Sequence, residues 1–179
     1  MSEQNIDDDK KRIAVLAGEK YQTLEAWYPI LRLREAGHLV DVIGRDEGCS
    51  VCPSKCGYEL EVDYAASSID PDNYDGVVVP GGYAPDKLRR DEAVLELVSY
   101  LDENDRLVAA ICHAGWVLIS ADVLSETTVT SVSAIRDDIE NAGADWVDEE
   151  VVVDENLITS RQPDDLPAFM QEILDFLED

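Results

Sequence analysis

Cys112 and His113 are neighbours in the stretch Leu107-Val108-Ala109-Ala110-Ile111-Cys112-His113-Ala114-Gly115-Trp116. Five small or branched apolar residues in a row predict a strand buried on both faces, and segment 116–120 predicts the start of a helix. A nucleophile at such a turn stands clear of the sheet, and the helix aims its first N–H groups and positive dipole end at it. That setting is expected to favour the thiolate, the reactive form of cysteine. The adjoining imidazole supplies a base. The competing reading is a structural cysteine packed as a small hydrophobe. The other histidine, His38, sits at an ordinary strand start.

Two further groups are placed to join this pair. Pro80-Gly81-Gly82 follows the apolar run 76–79, and Glu25 opens a helix that follows the first strand. Segments that end buried parallel strands meet at one edge of the sheet, where active sites of such folds lie. Glu25 is flanked by Leu24, Ala26 and Trp27, so partial burial and a raised pKa are expected. Asp86 reads equally well as a carboxylate that orients the imidazole and as a helix N-cap. Cys49, Cys52 and Cys56 form C-x-x-C-x-x-x-C with no histidine nearby to complete a metal site, so no metal or cofactor is expected. Either one of these thiols resolves an oxidised Cys112 as a disulfide, or the three have no role.

The elements that would position these residues alternate strand and helix. Strands are expected over 12–17, 38–44, 76–79, 107–111 and 127–130, with helices between them. In the first helix Leu24, Trp27, Leu31 and Ala36 recur near helical spacing, with Thr23 as N-cap and Gly37 as stop. Residues 49–62 break the pattern as a projecting antiparallel hairpin. A short helix over 135–141, a hairpin across Asp154-Glu155-Asn156 and an amphipathic helix through Leu166, Phe169, Met170, Ile173 and Leu177 complete the chain. The alternation predicts an α/β fold with a mostly parallel central sheet and helices on both faces. Residues 1–11 read as a disordered acidic tail, and residues 12–179 as a single domain.

The 179 residues carry 40 acidic and 14 basic side chains, a net charge of -26. Self-repulsion of that size is relieved by concentrated salt, so a halophilic cytoplasm is the expected setting. The acid is spread along the chain, and no Lys/Arg cluster exists to displace counterions, which argues against nucleic acid. No apolar run reaches the ~18 residues that cross a bilayer, and no secretory signal is read at the N-terminus. The four cysteines are therefore expected to be reduced.

Val79-Pro80-Gly81-Gly82-Tyr83-Ala84-Pro85-Asp86, Ala110-Ile111-Cys112-His113, Ile135-Arg136-Asp137-Asp138 and Asn141-Ala142-Gly143-Ala144 resemble the PfpI family. So do Val151-Val152-Val153-Asp154, Thr159-Ser160-Arg161 and Asp165-Leu166. These are intracellular cysteine peptidases within the ThiJ/PfpI superfamily, which also contains protein deglycases and shares its fold with class I glutamine amidotransferases. The resemblance implies a flavodoxin-like three-layer sandwich that assembles with itself as a dimer or a trimer of dimers. It makes Cys112 the nucleophile and His113 its base, and has Asp86 act on the histidine from a neighbouring subunit. It places Glu25 against the cysteine sulfur and gives the oxyanion hole to the amides of Gly82 and His113. Lys55, in a Lys-x-Gly-Tyr hairpin, is implied at the substrate entrance.

The chain departs from the family at three places. Tyr21-Gln22-Thr23 stands where Phe-Glu-Asp is common, Ala114-Gly115 where Gly-Pro is common, and Val132 where a tyrosine often lies. The resemblance implies a Cys112-dependent hydrolase acting on the carbonyl of a peptide or a small compound, by peptidase or by glyoxalase and protein deglycase chemistry. The alternative is a non-enzymatic stress sensor or chaperone that works through Cys112 oxidation.

Overall fold

The computed structural model describes residues 10–178. The acidic tail expected over 1–11 lies, as far as residue 9, outside the described residues. In chain order the elements are β1 (Arg12–Ala17), α1 (Thr23–Glu35), β2 (Leu39–Gly44), β3 (Val51–Pro53), β4 (Glu59–Glu61), β5 (Tyr64–Ala65) and β6 (Gly76–Val79). Then follow α2 (Ala84–Leu88), α3 (Glu92–Glu103), β7 (Leu107–Ile111), α4 (Gly115–Ser120), β8 (Thr128–Val129) and α5 (Arg136–Asn141). The chain closes with β9 (Asp145–Trp146), β10 (Val151–Asp154), β11 (Leu157–Ser160) and α6 (Leu166–Glu178).

Seven strands form the central sheet in the order β10-β11-β7-β6-β1-β2-β5. All neighbouring pairs in it are parallel except β10 with β11, which closes the hairpin at the edge. Helices α1 and α6 pack together on one face, and α3 packs with α4 on the other. The branched and small residues of β1, β6 and β7 are buried throughout, as a strand covered on both faces requires. These three strands are adjacent, so the loops leaving their carboxyl ends meet.

Helix α1 is the element whose packing differs most from its sequence pattern. Its buried face is Glu25, Ala26, Pro29, Ile30 and Leu33, while Leu24 and Leu31 are more than half exposed. The stripe 24-27-31 is thus the neighbour of the core stripe, and a glutamate occupies the core. The N-cap is Gln22, whose Oε1 accepts from Leu24 N at 2.6 Å, in place of the expected Thr23. The longer side chain reaches the same orphan N–H groups that a shorter cap would satisfy.

The hairpin of β3 and β4 is antiparallel and folds back toward the carboxyl ends of the central strands. Lys20 N donates to Pro53 O at 2.7 Å, Lys55 N to Tyr21 O at 2.9 Å, and Tyr21 Oη to Tyr58 O at 3.0 Å. In the tail, Arg161 holds Asp165 with two bonds and Asp148 with a third, and Asp154 accepts from Thr128 N. The tail motifs that carry the resemblance therefore clamp β10, β11 and α6 to their surroundings.

Candidate active site

Cys112 follows β7 with φ of 65°, in the left-handed region that a side chain adopts at a cost of about 1–3 kcal/mol. A 3-10 turn over residues 112–114 then leads into α4. This sharp exit turns the thiol out of the sheet while Ile111 stays buried beneath it. The Sγ lies 3.3 Å from His113 Nδ1, and the backbone N–H groups of His113 and Gly82 both reach it.

Gly82 owes its place to backbone contacts. Its φ is 80°, and a Cβ there would lie 2.6 Å from Gln22 N and from Lys20 O. Tyr83 N donates to Lys20 O at 2.9 Å, and Gly82 forms a bridge with Tyr21, so the loop is pinned to the β1–α1 turn. At Gly81 a Cβ would meet Glu25 Oε2 at 2.6 Å and Cys112 Cβ at 2.9 Å. Only glycine lets the carboxyl and the thiol come together there.

Glu25 is fully buried. Its Oε2 accepts from Gly81 N at 2.8 Å, and Oε1 is buried with no hydrogen-bond partner among the described residues. Burial pushes this carboxyl up to about 7, against the pull of the Gly81 amide, the Cys112 thiol and the Lys55 charge. An orphaned carboxyl oxygen in a dry site is more stable with a proton on it. Burial also pushes the Cys112 thiol up to about 12, helped by the Glu25 charge and opposed by the two amides. The expected preference for thiolate is thereby reversed, because desolvation and a neighbouring carboxylate outweigh the start of a six-residue helix. His113 is lowered, by burial first and then by Lys55, and stays a neutral acceptor.

Asp86 does not cap a helix. It lies in the first turn of α2, whose N-cap is Tyr83, and Arg90 Nη2 donates to both its oxygens at 2.8 and 2.9 Å. It makes no hydrogen bond to His113 among the described residues. Lys55 is exposed at the hairpin tip, its Nζ 5.5 Å from the Tyr83 ring centroid, and its charge acts on both Glu25 and His113. Cys49 and Cys52 are joined by a disulfide with Cα atoms 5.2 Å apart, which corrects the expectation of four reduced thiols. Cys56 is free and exposed. Among the described residues no group of three His, Cys, Asp or Glu is arranged to hold a metal, and no helix is long and apolar enough to cross a membrane.

Three residues at the site were given no role by the sequence reading. Trp116 packs with its ring 5.2 Å from that of His113, and its Nε1 donates to Asp138 at 2.8 Å. Lys20 and Tyr83 face the same mouth. For Trp116 a signal existed in Ile135-Arg136-Asp137-Asp138, a motif whose last residue anchors the indole.

The arrangement of Cys112, His113, Glu25 and the glycine loop at the strand ends belongs to a class of cysteine-bearing α/β proteins, and comparison with known proteins agrees. The DJ-1/PfpI family matches residues 11–176. A deglycase of Thermococcus kodakarensis, TK1284, is 42% identical over 166 residues, covering 93% of this chain and 99% of the relative. A Bacillus subtilis relative, YraA, 40% identical over 168 residues and covering 94% and 99% of the two chains, bears the provisional name of a cysteine protease. Among solved structures, a two-domain protein from Anabaena variabilis with DJ-1/ThiJ/PfpI-like and ferritin-like domains superposes with a TM-score of 0.89 at 40% identity. That match covers 94% of this chain and 48% of the other, so the chain spans about half the length of the two-domain protein. The chain belongs to the DJ-1/PfpI family.

Proposed function

We propose that the protein is a Cys112-dependent hydrolase of carbonyl adducts, of the glyoxalase and deglycase type. The observation that carries this reading is the buried Glu25 carboxyl beside the Cys112 thiol, with one oxygen free to hold a proton near pH 7. Sγ adds to the substrate carbonyl carbon as its proton passes to His113 Nδ1, 3.3 Å away. The carbonyl electron pair moves onto oxygen, facing the amides of Gly82 and His113, which need no rearrangement to receive it. Glu25 delivers its proton to the adjacent carbonyl oxygen of an α-oxoaldehyde, takes up the proton released from the first carbon, and returns it to the second carbon as the enediolate collapses, giving the thioester of a 2-hydroxy acid. Water then cleaves the thioester, releasing a 2-hydroxy acid and restoring the thiol.

Peptide hydrolysis is the second reading, favoured by the name of the Bacillus relative. It needs a carboxylate to orient His113, and within one chain Asp86 is taken by Arg90. In that reading the carboxylate comes from Asp86 of the partner subunit, and the protein works as a dimer or a trimer of dimers. Lactate formation from methylglyoxal, measured beside cleavage of a fluorogenic peptide, separates the two. Lactate that depends on Cys112 without peptide cleavage supports the first reading, and peptide cleavage without lactate supports the second.

A further inference from the structure

Five lysines occur in the chain: Lys10, Lys11, Lys20, Lys55 and Lys87. Two of the five, Lys20 and Lys87, line one opening next to the Gly82 loop, and Lys55 stands over the Tyr83 ring in that lining, in a chain of net charge -26. The opening is a cavity of about 350 Å³ lined by Glu19, Lys20, Tyr83, Asp86, Lys87 and Trp116. Its aromatic wall reaches the imidazole next to the nucleophile, since Trp116 packs against His113. Lys55 Nζ lies 5.5 Å from the centroid of the Tyr83 ring.

Backbone bonds draw these lysines together from distant parts of the sequence. Lys20 N donates to Pro53 O, Lys20 O accepts from Tyr83 N, and Lys55 N donates to Tyr21 O. Lys20 is set in the left-handed region at φ 63°, on a turn fixed at both its N–H and its carbonyl. The acids at the opening are mostly spoken for. Glu19 binds Lys87 and also lies in the field of Lys20, and Asp86 binds Arg90. Neither Lys20 nor Lys55 forms an ion pair among the described residues, so the opening keeps two cations in excess while the rest of the chain is strongly negative.

We infer that this cavity receives a negatively charged end of the substrate, with Lys20 and Lys55 as its counter-charges, and that the protein therefore acts on small anionic carbonyl compounds. The inference rests on the reading that Cys112 attacks a carbonyl. An anion approaching a chain of this charge is repelled over most of the surface, and two unpaired ammonium groups beside the nucleophile give it one favourable point of entry. Tyr83 and Trp116 hold the apolar body of the substrate between the anion and the reacting carbon.

The test needs no turnover, so it reads out even where the hydrolase assay fails. In a Cys56→Ser background Cys112 is the one free thiol among the described residues. Its alkylation rates with iodoacetate, an anion, and iodoacetamide, its neutral counterpart, are measured at pH 8.5, where more of the raised thiol is ionised, and at the lowest salt that keeps the chain folded. The iodoacetate:iodoacetamide ratio is expected to exceed that of N-acetylcysteine amide in the same buffer. Lys20→Gln and Lys55→Gln should each lower the ratio about two- to threefold, as loss of one charge several ångströms away in water requires, and Lys20→Arg should preserve it. A ratio no higher than that of the free thiol, or one that neither glutamine substitution lowers, would overturn the inference. With turnover established, the methylglyoxal adduct of N-acetylcysteine should show a lower KM than the adduct of N-acetylcysteine amide. Equal KM values would count against it.

Discussion

Replacing Glu25 by glutamine should change how stability depends on pH, by an amount set by the site. The free carboxyl ionises at 4.5, whereas in the folded chain burial holds the proton until about 7. At 1.36 kcal/mol for each tenfold difference in proton affinity, that gap is worth about 3 kcal/mol. The sign follows from which state loses its proton first. Between pH 4.5 and 7 the unfolded chain ionises Glu25 and the folded chain does not, so the group lowers stability progressively as pH rises through this window and no further above it. A glutamine side chain has no such proton to lose and nearly the same shape. Denaturant unfolding at pH 5 and pH 8, in constant molar salt, should therefore show Glu25→Gln gaining roughly 2–3 kcal/mol on the native sequence between the two conditions. Taking the difference between the chains cancels the other 39 acidic residues, whose titration both share. Stability curves that stay parallel within about 0.5 kcal/mol would refute the buried, proton-holding Glu25.

Three more outcomes are expected. The pH profile of kcat/KM should rise as His113 loses its proton below the ordinary value of 6.5 and fall as Glu25 ionises near 7, whereas activity that keeps climbing past pH 8 would contradict the assigned proton positions. Gly82→Ala should cost at least about 2 kcal/mol of stability and about a hundredfold in kcat, because a Cβ at φ 80° collides with the Lys20–Gln22 backbone and displaces an oxyanion donor; native-like turnover would refute that role. The thermal midpoint should rise between ~0.1 M and molar salt as charge repulsion is screened, and a midpoint indifferent to salt would sink the halophilic reading.

The fold was legible where burial is symmetric. β6, β7 and β1 beyond Arg12 are apolar at every position because both faces are covered, and their alternation with helices dictates a parallel sheet. Periodicity failed in α1, where the core stripe includes a glutamate and leaves Leu24 and Leu31 outside. A stripe of apolar residues does not mark the buried face of a helix when a carboxyl lies on it. The site residues Cys112, His113, Glu25 and Gly82 were all singled out from sequence, and the structure brings them together. The raised carboxyl of Glu25 was legible from its apolar neighbours, but the raised thiol of Cys112 was not, since it depends on burial and on a carboxyl far away in the chain, brought close by the packing of α1 against the Gly81 loop. The Cys49–Cys52 bond departs from the reduced state that compartment implies, because a separation of three residues at the entry to β3 brings the two Cα atoms to 5.2 Å. The meeting of Lys20 with Tyr83 was not legible, as it depends on backbone bonds between loops.

The most direct measurement is lactate formation from methylglyoxal in high salt, comparing the native sequence with Cys112→Ala and running a fluorogenic peptide in parallel. The expected result is lactate from the native chain, at least about a hundredfold less from Cys112→Ala, and no peptide cleavage by either. Lactate formed equally by both chains, or by neither, would contradict a carbonyl hydrolase built on Cys112.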